Sequence, residues 1–179
     1  MTDVPPPPPN ACGVAVKTML RNFRAGLARR RTSIGIPQAL FHFLHPGLWE
    51  TFFRELGLRV VLSGPTRRST LERAGLISES EHCLPVKLLD AHLAALVGQV
   101  DRIFVPRILS TVAGCIACPK LGALPDAVAA QFGQAAALLT VDVDTARIPL
   151  AESLRRLGRS LKADAGVLRA AVEAALRAL

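Results

Sequence analysis

The stretch IGIPQALFHFLHPGLWETFFRELGLRVVLS, residues 34–63, decides the fold class. Ile34 to Pro37 is a short apolar run punctuated by glycine and proline, which reads as a strand entering a loop. Pro46 to Leu56 follows with Leu48, Phe52, Phe53 and Leu56 at helical spacing. Pro46 stands where the first turn of a helix tolerates proline, and Gly57 is placed to end the helix. Leu58 to Leu62 (LRVVL) is continuously apolar, as expected of a parallel strand covered on both faces. A helix between two such strands is a βαβ unit.

Working outward, Thr66 to Ala74 predicts a short helix ended by Gly75, and Leu84 to Val97 a longer one carrying Leu88, Leu89, His92 and Leu96. Arg102 to Val105 predicts a third strand and Ala136 to Val141 a fourth. Leu150 to Leu179 is rich in Ala, Leu and Arg and predicts helix, broken near Gly166. Strands alternating with helices imply an α/β fold with a short, mainly parallel sheet, here with a C-terminal helical tail. Right-handed crossovers place the loops that follow the strands along one sheet edge, where open α/β sheets bind ligands. Neither GxGxxG nor GxxxxGK[ST] occurs, which argues against a nucleotide-phosphate loop.

The chain has 179 residues and is 50% hydrophobic, enough for one domain with a proper core and too apolar for overall disorder. No apolar run approaches the ~20 residues that span a bilayer. The net charge of +8 is concentrated at one end. Lys17, Arg21, Arg24, Arg29, Arg30 and Arg31 face only Asp3 within residues 1–31, so that segment is +5 and the rest +3. This is a basic arm, with no firm signal of a nucleic-acid-binding domain. The expected division is a disordered Pro-rich and basic arm over 1–32, an α/β domain over 33–142, and a helical segment over 143–179. The arm reads as a solvated tail, as upstream sequence ahead of a start at Met19, or as a contact for an acidic partner; its proline run argues against a mitochondrial-type presequence. Four cysteines are too few for a disulfide scaffold, so a reducing cytoplasm is the expected location.

Three cysteines fall in loops that the strand assignments bring to one edge. Cys83 opens a helix in EHCLPVK; Cys115 and Cys118 form CIACPK after the third strand. A helix N-terminus offers free N–H groups and the positive end of the dipole, which favour a thiolate. Lys87 and Lys120 lie close behind these cysteines and, with Arg107, are candidate contacts for an anion or a partner. On the residues alone, four readings stay open. The thiols are free core cysteines, a redox pair, a zinc site completed by His82 or His45, or iron–sulfur ligands. The redox pair fits least, since Leu109 to Cys115 separates CxxC from its strand.

The segments IGIPQALFHFLHPGLWETFFRELGLRVVLS, GPT, EHCLPVKLLDAH, VDRIFVPRI and CPKLGALPD, in that order, resemble one known domain. It is the domain of unknown function associated with activases of 2-hydroxyacyl-CoA dehydratases. That domain is similar in turn to the N-terminal half of the dehydratases' iron–sulfur subunits. The resemblance covers roughly residues 33–132. It implies a flavodoxin-like or Rossmann-like three-layer fold whose cysteines hold a 4Fe–4S type cluster between two such domains. In the related dehydratases an activase delivers one electron with ATP hydrolysis, and a 2-hydroxyacyl-CoA is dehydrated through a ketyl radical. Carried over by position, Cys83 and Cys118 match the family's cysteines. Cys115 has no firm counterpart, and Cys12 lies outside the resemblance. The second domain and the ATP-binding domain have no counterpart here. The expectation is therefore an accessory iron–sulfur protein that relays an electron, is not catalytic alone, and works with a second iron–sulfur subunit, an activase or a second copy. The alternatives are a cluster-free interaction module and a zinc-stabilised domain.

The remaining polar residues read more plainly. His42, His45 and His82 are expected as surface or packing residues near the edge, and His92 as structural. Asp126 is expected to cap the helix that follows it, and Ser63 to serve its turn. No G-x-S-x-G elbow surrounds Ser63, so a hydrolase is not indicated. Trp49, Phe41, Phe43, Phe52 and Phe53 are expected in the core.

Overall fold

The computed structural model describes residues 32–112 and 114–179. The basic arm, its expected helix, Met19 and Cys12 lie outside the described residues. β1 (Ser33–Ile36) leads through the one-turn α1 (Phe41–Leu44) to α2 (Leu48–Glu55) and then β2 (Arg59–Leu62). The hairpin of α3 (Arg68–Ile77) and α4 (Leu84–Leu96) returns the chain to β3 (Arg102–Phe104) and β4 (Arg107–Ser110). α5 (Pro119–Gly122), α6 (Leu124–Phe132) and a 3-10 turn (Gly133–Ala135) precede β5 (Leu138–Leu139) and β6 (Asp142–Asp144). α7 (Leu150–Ser160) and α8 (Ala165–Arg177) close the domain.

The sheet is parallel throughout, in the order β2-β1-β3-β5. Beyond the Pro106 break, β4 and β6 form a second parallel pair. The ladder bridges that break through Val105 N to the Leu139 carbonyl and Arg107 N to the Val141 carbonyl. The β3–β4 and β5–β6 runs therefore overhang the ends of β1 and β2. The chain moves from β1 to β2 in one direction and from β2 to β3 in the other. Right-handed crossovers then put α2 on one face of the sheet and the α3–α4 hairpin on the other. α8 packs on α2, and α3 on α4, giving three layers. Gly35 is needed on the second face: a Cβ there would meet Val100 Cγ2 at 2.9 Å and Leu96 Cδ1 at 3.2 Å, blocking α4's approach to β1.

The core runs without interruption from Ile34 and Ile36 through Trp49, Phe52, Phe53 and Phe104 to Leu154, Leu157 and Ala171. Phe104 stacks edge-on with Phe41 at 5.7 Å and with Phe53 at 5.1 Å, and lies 4.7 Å from the tilted Trp49 ring. β6 spans residues 142–144, α7 packs on β6, and α8 on α2, so the C-terminal helices share this core.

Several expectations are corrected. β2 is an edge strand and only half-buried, because no described strand pairs beyond it. α3 runs to Ile77, so Gly75 sits inside it. The C-terminal break falls at 161–164, before Gly166, where Asp164 Oδ1 accepts from Gly166 N at 2.9 Å and caps α8. Pro46 precedes the α2 N-cap, Gly47, which takes φ +76°. Phe43 points outward, 65% exposed. Asp126 caps nothing; its carboxylate holds Arg107.

Candidate functional site

Cys83 is the N-cap residue of α4 and Cys118 that of α5. In each case proline occupies the first turn, where its missing N–H costs nothing. α4 runs back toward the start of β3, so its N-terminus stands at the carboxyl edge of the sheet. α5 follows β4 at that same edge. Two hydrogen bonds fasten the two regions together. Lys120 Nζ donates to the Glu81 carbonyl, two residues before Cys83. Gln131 Nε2 on α6 donates to the Ile77 carbonyl at the end of α3, at 2.9 Å. All three described cysteines are free and exposed.

Cys115 lies in the loop between β4 and α5, its N–H bonded to the Val112 carbonyl. It borders a cavity of about 370 Å³ with Ile116, Asp144 and Arg147. Among the described residues, no three His, Cys, Asp or Glu side chains stand close enough together to hold a metal ion. Thiols are the right chemistry for iron–sulfur or zinc ligation, but the described residues alone bring together no complete ligand set. The apolar side chains beside them are bare: Leu84 next to Cys83, and Val112 and Ile116 around Cys115, with Ile116 94% exposed. Leu76, at the end of α3, is exposed as well.

The candidate cations differ in what holds them. Arg107 donates to Asp126 through both terminal nitrogens at 2.7 and 3.0 Å, and to the Gly122 carbonyl at 2.6 Å. Asp142 stands 3.4 Å from its Nε. Arg107 therefore ties α5 and α6 to β4, its charge matched by two carboxylates; the Asp126 bonds hold its pKa above the ordinary range. Asp126 is held below the usual carboxylate range by the same bonds. Lys120 is spent on Glu81. Lys87, in the first turn of α4, makes no ion pair among the described residues; its carbonyl accepts from Ser78 Oγ. His82 is tethered by Nδ1 to the buried Asp90 at 3.0 Å, which fixes the loop carrying Cys83. His45 is buried edge-on against Trp49 at 5.9 Å, and burial lowers its pKa.

Two features escaped the sequence. The first is a buried polar set in the β1–α2 segment. His42 Nδ1, His45 Nδ1, Trp49 Nε1 and Glu50 Oε2 are all buried without a hydrogen-bond partner. His42 Nδ1 stands 3.1 Å from Glu50 Oε1, but off the line of a hydrogen bond. Leu40, at φ +47°, is the strained residue that turns the chain into this segment. Two histidines three residues apart in an otherwise apolar run are its sequence signal. The second is the basic turn after β2. There His92 of α4 lies between Ser63 Oγ, 2.9 Å from Nδ1, and Thr66 Oγ1, 3.0 Å from Nε2. The charge run Arg67-Arg68 was its signal.

Compared with protein families, residues 33–179 match the model described as the CoA enzyme activase uncharacterised domain. The chain belongs to that family. The match agrees with the resemblance carried by the CLPVK and CPKLGALPD segments, and takes in α7 and α8 as well. Searches of the curated proteins and of the solved structures returned no match. No helix among the described residues is long and apolar enough to cross a membrane.

Proposed function

We propose that this chain is an accessory iron–sulfur protein that shares a 4Fe–4S type cluster with a partner and relays an electron. The observation that supports it is the pairing of two loops, each with an exposed cysteine at a helix start, through the Lys120–Glu81 bond. Cys83 and Cys118 are the proposed ligands and Cys115 a third. The remaining ligand comes from a second iron–sulfur subunit, an activase or a second copy. A bound cluster would supply a one-electron couple. The chain's own part is to present thiolates, to position them through His82–Asp90 and Lys120–Glu81, and to exclude water by burying Leu84 and Ile116 against the partner. A reducing compartment such as the cytoplasm suits three exposed free thiols.

The test is anaerobic purification with and without a co-expressed activase partner, followed by iron and sulfide analysis and an absorption spectrum. Iron with matching sulfide, lost in Cys83→Ala and in Cys118→Ala, supports the reading. Colourless, iron-free protein after reconstitution with the partner overturns it. The bare apolar residues around the cysteines favour a second reading, a cluster-free interaction module. That reading requires partner binding that survives both cysteine substitutions. Zinc instead of iron would show as colourless protein whose melting temperature drops on chelation.

A further inference from the structure

The turn from β2 into α3 and the facing side of α4 border a half-open cavity of about 320 Å³ that none of the described cysteines lines. That volume lies at the lower end of small-molecule pockets, about 300–1,000 Å³. Its lining holds Arg67 and Arg73 and no carboxylate. Neither arginine has an ion-pair partner among the described residues, whereas the neighbouring Arg68 is committed to Glu72 at 3.0 Å. Two guanidinium groups on one cavity without a counter-charge repel each other and attract an anion.

The hydrogen bonds at the back of the cavity carry the inference further. His92, 2% exposed, lines it and contacts two hydroxyls, those of Ser63 and Thr66. Gln38 N donates to Ser63 Oγ at 2.9 Å, so that oxygen already accepts one bond. Count the protons with a neutral imidazole. The ring supplies one N–H and the two hydroxyls supply two, but only two contacts join the three groups. Whichever ring nitrogen is protonated, one hydroxyl proton is left over. It belongs to Ser63 in one tautomer and to Thr66 in the other. A protonated ring would leave both hydroxyl protons over. Of the two hydroxyls only that of Ser63 lines the cavity, and its proton is left over when Nδ1 carries the ring proton or when the ring is charged; the rim is cationic.

We propose that this cavity is a site for a phosphate-type oxyanion, held by Arg67 and Arg73 with the Ser63 hydroxyl, whose proton is left over when His92 donates from Nδ1. A tetrahedral oxyanion accepts several bonds at once, which matches two guanidinium groups and a hydroxyl. The cavity is larger than a bare phosphate and leaves room for part of an ester, so the ligand class is a small phosphate monoester or free phosphate. This site is separate from the thiols and stands or falls apart from cluster binding.

Calorimetric titration of the full chain at constant ionic strength tests it, with inorganic phosphate, glycerol 3-phosphate and acetate as probes. Saturable one-to-one binding of a phosphate probe is expected, weakened about tenfold in Arg67→Ala and in Arg73→Ala. Arg68→Ala should bind like wild type. Both target arginines are exposed; circular dichroism checks each variant, and Arg67→Gln and Arg73→Gln replace any alanine variant that misfolds. Tighter binding of the ester supports an organic phosphate, and equal binding supports free phosphate. No saturable heat from either phosphate probe overturns the site. So does equal weakening in Arg68→Ala, which would mean diffuse attraction, or acetate binding as tightly as phosphate.

Discussion

His92 and His45 are both enclosed, and the cost of charging them falls on the folded state. Burial lowers the pKa of each from the ordinary 6.5, and for His92 the nearby His42 lowers it further. The unfolded chain therefore binds protons near pH 6.5 while the folded chain does not. Stability is full above that value and falls as the pH drops below it, by at most about 1.4 kcal/mol per histidine per pH unit. Urea denaturation at pH 7.5 and 5.5 should give a lower midpoint at 5.5. His45 Nδ1 makes no hydrogen bond, so His45→Leu should flatten this dependence; an unchanged slope would clear His45 of the effect. Asp101 acts in a different pH range. Ser33 N and Oγ both donate to its Oδ2, at 2.6 and 2.8 Å, and hold its pKa below the ordinary 3.8. That clamp between β1 and the turn into β3 persists until the pH falls below the usual carboxylate range.

Among the elements, α7 and α8 meet at a contact that only glycine permits. A Cβ at Gly158 would lie 2.1 Å from Leu168 Cδ1 and 3.2 Å from Leu168 Cγ. Leu168 is buried and has little room to turn away. Gly158→Ala should therefore destabilise the protein by about 1–3 kcal/mol, despite alanine's better helix propensity. Pairing it with Leu168→Ala should make the combined loss smaller than the sum of the single losses in denaturant titrations. Simple additivity would place the strain elsewhere. Element type was legible wherever periodicity or continuity was strong, as in Leu48–Glu55, Arg59–Leu62 and Leu84–Leu96. Boundaries were missed where local signals competed. Gly75 reads as a stop, yet the helix continues because α3 packs along α4. Asp126 looked like a cap, yet Arg107 from β4 claimed its carboxylate. The residues after Phe104 hid a second strand pair, since Pro106 reads as an end and the ladder resumes at Arg107.

At the scale of the molecule, one continuous core predicts one unfolding event. Trp49, the only tryptophan, stands on α2 against Phe104, and α8 packs on α2. Its fluorescence and the helical circular dichroism should therefore lose their folded signals at the same denaturant concentration. Removing residues 165–179 should abolish the cooperative transition in both signals. An intact Trp49 transition after that deletion would show that α8 is dispensable. The candidate site was legible only in part. Cys83 could be assigned to a helix start from EHCLPVK, because spacing is a local signal, whereas CIACPK reads as a loop and the helix that Cys118 starts is only four residues long. The Lys120–Glu81 link, the unpartnered His42–Glu50 segment and the Ser63–His92–Thr66 chain join residues distant in sequence or depend on burial. The histidine spacing and the Arg67-Arg68 run mark where two of these lie, but no local pattern names the partners that meet there.

The strand order has a consequence for how this chain is made. β1 is among the first described residues to leave the ribosome, yet it is an inner strand. β2 reaches it early, whereas its other neighbour, β3, begins only at Arg102. α2 waits longer still: the helix that covers it, α8, starts at Ala165. The nascent chain carries an open inner strand edge until β3 emerges and an uncovered apolar helix face until α8 does. Both are the surfaces that holding chaperones recognise and that drive aggregation. Translation speed across the last two helices, more than the strength of any one contact, should then govern how much of this protein is recovered folded.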